Sequence, residues 1–107
     1  MLIVAAADLS HVGPRFGDEL AYDTKQREHL EKLDRGSLAY ALTQDTVTFW
    51  RDVVEDRNTR RICGLAPIYS LLRSLPWAAD GALFNYEQCI DANEGSIVSH
   101  AAAGYFI

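Results

Sequence analysis

Six apolar residues in succession, Leu2 to Ala7, stop abruptly at Asp8 and lead into "DLSHVGPRFG". A half-exposed strand alternates apolar with polar residues. An unbroken run this short suits a strand buried on both faces, which needs covering elements on either side. The fold class this implies is α/β. Gly13, Pro14 and Gly17 turn the following segment into a loop, since glycine reaches positive φ and proline lacks an N–H. In open α/β sheets, loops at strand carboxyl ends hold the ligands.

The rest of the chain supplies the covering elements. Asp23 with Gln26 three residues on has the pattern of a capping box, and Leu30, Leu33, Ala41 and Leu42 recur at helical spacing, with a break predicted at Gly36. Asp45 suits the N-cap of a further helix whose apolar stripe is Val47, Trp50, Val53 and Val54, with Arg51, Asp52, Glu55 and Asp56 facing water. A third helix carries Pro67 in its first turn, Leu65, Ile68, Leu72 and Leu75 on one face, and Pro76 as its stop. "LFNYEQCI" and "SIVSHAAAGYFI" read as two strands joined by "DANEG", and Ala101 to Gly104 are small enough to let a helix pack closely on the sheet. The prediction is one domain over residues 1–107: a buried N-terminal strand, a helical middle and two C-terminal strands in a partial three-layer-like arrangement. A central strand that opens the chain with no neighbour before it points to a piece of a longer protein.

Composition narrows the function classes. A hydrophobic fraction of 49% and a charged fraction of 23% are those of a globular protein, and the net charge of −5 argues against nucleic acid as a partner. The one basic cluster, Arg57 to Arg61, is too short to overturn this. No apolar run approaches the roughly 20 residues of a membrane span, and no secretory leader is visible. These features predict a cytoplasmic protein with no membrane partner.

Among the residues able to do chemistry, Asp8 and His11 come first, because a carboxylate near an imidazole fixes its tautomer and raises its basicity. The same residues would serve equally well as a turn cap and a solvated loop histidine. Cys63 precedes a helix N-terminus and follows Arg60 and Arg61, a setting that favours thiolate, the form that binds metals and electrophiles; the competing reading is a small residue packed at a helix start. Cys89 reads as an inert core thiol in a strand, His29 as a solvated helix residue, and His100 as a packed or hydrogen-bonded strand residue. Asp8, His11 and Cys63 make an incomplete metal site, since soft and borderline metals take three or four protein ligands.

"DLSHVG" after an apolar strand, "ICGLAPI" at a helix start, "FNYEQC" and the closing "SIVSHAAAGYFI" resemble, in order and spacing, the C-terminal part of the Memo family, which includes AmmeMemoRadiSam system protein B. The family is similar in fold to class III extradiol dioxygenases, non-haem iron enzymes. The resemblance implies an α/β fold and a metal-binding pocket in which Asp8 and His11 stand at the proton-handling positions, with Asp8 orienting His11, and Cys63 at the cysteine ligand position. It implies iron or copper, or zinc, as the metal, with redox or oxygenase-like activity on a small molecule, and a radical-SAM protein as partner. The family's other two ligands are histidines of the N-terminal part; His29 and His100 do not match them, so the chain is expected to hold one wall of the pocket. The alternative is a module that binds a peptide or small molecule without catalysis, or a truncated remnant with no activity of its own.

Overall fold

The computed structural model describes Ala5, residues 7–76 and residues 79–106. It is mixed α/β, with three helices and a three-stranded sheet. Strand β1 (His11–Val12) is followed by a 3-10 turn (Pro14–Phe16), helices α1 (Thr24–Leu42), α2 (Thr46–Val54) and α3 (Leu65–Ser74), and strands β2 (Asp80–Ile90) and β3 (Ile97–Phe106). The sheet order is β1-β3-β2 and both pairings are antiparallel. The strand expected over residues 2–7 falls mostly outside the described residues. Among those described, no helix is long and apolar enough to cross a membrane.

The helix starts follow the sequence. The Asp23 side chain accepts from the Gln26 N–H while the Gln26 side chain accepts from the Asp23 N–H, a complete capping box, and Asp45 caps α2 by accepting from the Thr48 N–H. Helix α3 has Pro67 in its first turn and ends as Leu75 turns extended ahead of Pro76, the conformation that proline imposes on the residue before it.

Helices α1 and α2 depart from the sequence pattern. Helix α1 runs through Gly36 unbroken. A mid-helix glycine costs about 1 kcal/mol relative to alanine, and the burial of Asp34, Ser37 and Leu38 on either side outweighs that. In α2 the buried pair is Phe49 and Val53, each 1% exposed, while Val47, Trp50 and Val54 of the expected stripe are 60%, 40% and 36% exposed. Phe49 and Val53 are one helical turn apart and join Leu9, Leu38, Ala41, Ile62, Leu72 and Tyr86 in the main core, with Leu65, Ile68 and Leu75 packed against it.

The hairpin of β2 and β3 pairs Asp80 with Phe106 at one end and Ile90 with Ile97 at the other, with an irregularity at Phe84. Tyr86, Gln88 and Tyr105 reach from its inner face to α1: the Tyr86 hydroxyl donates to Asp34, Gln88 Nε2 to the Arg27 carbonyl and the Tyr105 hydroxyl to the Ala41 carbonyl. As expected of the small residues of β3, Ala101 packs against the core that includes Leu38 and Ala41 of α1, and at Gly81 a Cβ would come within 2.4 Å of the Leu42 carbonyl. At Gly104 the missing side chain makes room for the Phe84 ring.

Candidate functional site

Residues 9–12 run between two partners. On one side Leu9 N–H donates to the Ser99 carbonyl, Ser99 N–H to the Ser10 carbonyl, and β1 continues the pairing with β3. On the other side His11 N–H donates to the Arg60 carbonyl at 2.7 Å, and the Asp8 carbonyl accepts from Gly64 N–H at 3.0 Å. The segment that carries Asp8 and His11 is thereby fixed to the turn that carries Cys63.

A buried carboxylate locks this arrangement from beneath. Asp34 is 1% exposed. Its Oδ1 accepts from the Ser10 hydroxyl at 2.5 Å and from Arg60 Nη1 at 2.9 Å; its Oδ2 accepts from the Tyr86 and Ser99 hydroxyls, both at 2.6 Å. Arg60 continues to the Ser37 hydroxyl, which donates to Asp52. Four donors on one carboxylate satisfy all its lone pairs, and no buried side-chain nitrogen or oxygen among the described residues lacks a partner. Burial, and after it the neighbouring Asp34 carboxylate, push the Tyr86 phenol far above its ordinary range, so it stays a donor. Nothing in the motif reading singled out Asp34, although a carboxylate between Leu30 and Leu38, one turn from each on the buried stripe of α1, was the available signal.

The His11 ring is held by backbone. Nδ1 lies 3.0 Å from the Leu9 carbonyl and 3.0 Å from the Arg61 carbonyl, and the edge of Phe16 meets the ring at a centroid distance of 5.2 Å. Two acceptors facing one nitrogen require it to carry the proton, which leaves Nε2 with the free lone pair. No hydrogen bond joins the Asp8 carboxylate to His11 among the described residues, so the orienting role expected of Asp8 falls to these two carbonyls.

Arg61 adopts φ 52°, in the left-handed region, and its side chain is anchored by Asp18, with Nη2 to Oδ1 at 3.0 Å and Nη1 to Oδ2 at 3.2 Å. The same Asp18 Oδ2 accepts from Gly13 N–H. The Arg61 hydrogen bonds hold the Asp18 carboxyl below the usual carboxylate range, assisted by the Gly13 N–H and opposed by burial. Non-glycine residues in left-handed conformations cluster where a fold fixes functional geometry, and here the strained residue presents its carbonyl to His11.

Cys63 is exposed, with Sγ 3.5 Å from the Asp8 carbonyl. A Cβ on Gly64 would come within 2.6 Å of that same carbonyl, so glycine at this position is what lets the start of α3 sit against Asp8. A family model described as Memo-like protein matches residues 1–104. The chain belongs to the Memo-like family. No curated protein matches the chain significantly. In this Memo-like chain the Asp8 carbonyl meets Gly64 N–H and Cys63 Sγ, while His11 is fixed against the Arg60 and Arg61 carbonyls. Even so, no group of three His, Cys, Asp or Glu residues that could hold a metal ion occurs among the described residues.

Proposed function

We propose that the Memo-like chain forms one wall of a small-molecule pocket in which His11 accepts a proton through Nε2 and Cys63 supplies a sulfur donor. The observation that carries this reading is the pair of carbonyls on His11 Nδ1, which fixes the tautomer with Nε2 free. A thiolate and an imidazole suit iron, copper or zinc by type of donor. They do not suit them by number, since such centres take three or four protein ligands. A metal centre like that of the extradiol dioxygenases therefore needs donors beyond the described residues.

Titration of the full chain carrying Cys89→Ser with p-mercuribenzoate, which a single thiolate suffices to bind, tests the sulfur donor. The reading expects one equivalent bound at Cys63 and none when Cys63→Ser is added. A folded Cys89→Ser chain that binds none overturns it.

A second reading, a peptide-binding module without chemistry, is favoured by the groove between α2 and α3, about 600 Å³, where Val47, Trp50 and Val54 face Tyr69 and Ala66. Trp50 meets Tyr69 edge to face at 5.0 Å. Peptide capture by the full chain that survives His11→Ala with Cys63→Ala and is lost in Trp50→Ala would favour this module over the pocket.

A further inference from the structure

The outer face of the hairpin carries a second group of reactive side chains. Tyr86 and Gln88 of β2 point to α1, so their neighbours Glu87 and Cys89 lie on the opposite face by strand alternation. Glu87 is paired directly with His100 of β3, and Cys89 is two rungs along on the same face, opposite Val98. The imidazole of His100 lies between the other two: Nδ1 is 3.9 Å from Cys89 Sγ and Nε2 is 3.6 Å from Glu87 Oε2. A carboxylate is acceptor-only, so it favours the tautomer with the proton on Nε2, in which Nδ1 accepts from the thiol. Cys89, read from sequence as an inert core residue, is exposed.

A ligand has room beside it. Cys89 lines a surface pocket of about 460 Å³ together with Arg15, Phe16, Ile90, Asp91 and Val98. Arg15 is 67% exposed at its side chain and only 4.0 Å from its nearest carboxylate, Asp91, which leaves most of its guanidinium donors open to an incoming anion.

The geometry points to Cys89 as a reactive thiol that undergoes exchange with small, carboxylate-bearing disulfides, with His100 as proton acceptor, Glu87 holding the imidazolium and Arg15 receiving the ligand's carboxylate. In this exchange the Cys89 proton passes to His100 Nδ1 and the thiolate attacks one sulfur of the incoming disulfide. The S–S bond of that disulfide breaks as the new one to Cys89 forms, and its other half leaves as a thiolate. The disulfide is the oxidant and the balance needs no other. The inference stands apart from the pocket at His11 and Cys63.

Two exposed thiols in one chain give an internal control. The full chain would be treated with 5,5′-dithiobis(2-nitrobenzoate), an anionic disulfide, and separately with bis(2-hydroxyethyl) disulfide, a neutral one, with the modified cysteine located by peptide mass spectrometry. Cys89 should react about tenfold faster than Cys63, and His100→Gln should remove most of that advantage while leaving Cys63 unchanged, since nucleophile activation acts through the thiolate fraction. Glu87→Gln, a change on an exposed side chain, should slow Cys89 in the same direction. Arg15→Ala should slow the anionic probe and leave the neutral one unaffected. Equal rates at the two cysteines, or a Cys89 rate unmoved in both the His100 and Glu87 variants, would overturn the assignment. An Arg15 effect equal for the two probes would overturn the anion preference.

Discussion

Arg60 Nη1 meets Asp34 Oδ1 at 2.9 Å with both side chains almost wholly withdrawn from solvent. The pair joins α1 to the turn before α3, and the three hydroxyls on the same carboxylate add β2, β3 and the Asp8–His11 segment. Breaking a buried pair by removing one partner strands the other charge, at a cost of about 3–5 kcal/mol. Asp34→Ala should therefore lower the unfolding free energy by that amount in urea titration. It also leaves the Ser10, Ser99 and Tyr86 hydroxyls without their acceptor. Removing both charges in Asp34→Leu with Arg60→Met should recover much of the loss. If Asp34→Ala unfolds at the same urea concentration as the parent chain, the carboxylate does not hold these elements together.

His11 gives a prediction independent of any ligand. With Nδ1 facing two carbonyls at 3.0 Å, the neutral ring should be the Nδ1–H tautomer, the minor form of free histidine in water. Nitrogen-15 chemical shifts of the ring report this directly. A ring protonated at Nε2 in the neutral state would contradict the structure and remove the free lone pair on which the proposed proton transfer depends.

The parts of this fold legible in the sequence are those set by local chemistry. Asp23 and Asp45 cap their helices because a side-chain oxygen close in sequence can reach the free N–H groups. Pro76 ends α3 for an equally local reason. What escaped was decided by distant partners. Gly36 reads as a break until the burial of Asp34 and Leu38 is known, and the α2 stripe was misplaced because Val47, Trp50 and Val54 match helical spacing as well as Phe49 and Val53 do. His11 is oriented by the Arg61 carbonyl, 50 residues on, which no local pattern encodes. The exposure of Cys89 has a signal in the sequence, since it shares strand parity with Asn85 and Glu87, both polar, but the irregularity at Phe84 obscures the alternation.

The Asp18–Arg61 pair should leave a mark on the acid side of the stability curve. The folded state holds the Asp18 carboxyl below its ordinary value through Arg61, so the unfolded chain binds that proton more readily. The contribution is present above the unfolded pKa and is lost as pH falls through the folded one. Side chains 31% and 39% exposed are screened by water, so the pair is worth no more than about 1 kcal/mol. Asp18→Asn should accordingly melt lower than the parent chain at pH 7 and converge with it near pH 2. A melting difference that stays constant across that range would assign the effect to shape and not to charge.

Gly64 couples the segment of Asp8 and His11 to the helix start that carries Cys63. Its φ of −75° is open to any residue, so only the contact with Asp8 requires glycine there. A Cβ would lie 2.6 Å from the Asp8 carbonyl oxygen, 3.0 Å from Ile68 Cδ1 and 3.2 Å from Ala7 Cβ. The first of these is backbone already held by the Gly64 N–H, which cannot move aside without giving up that bond. Gly64→Ala should cost about 1–3 kcal/mol, the usual range for overpacking. The strain should be relieved by moving the start of α3 away from Asp8. Because Cys63 Sγ rests on the same carbonyl, the variant should also alkylate faster at Cys63 while Cys89 keeps its rate. Mutational loss of stability with no change at Cys63 would mean that α3 stays in place and the Asp8 segment yields instead, which would separate the two halves of the proposed pocket.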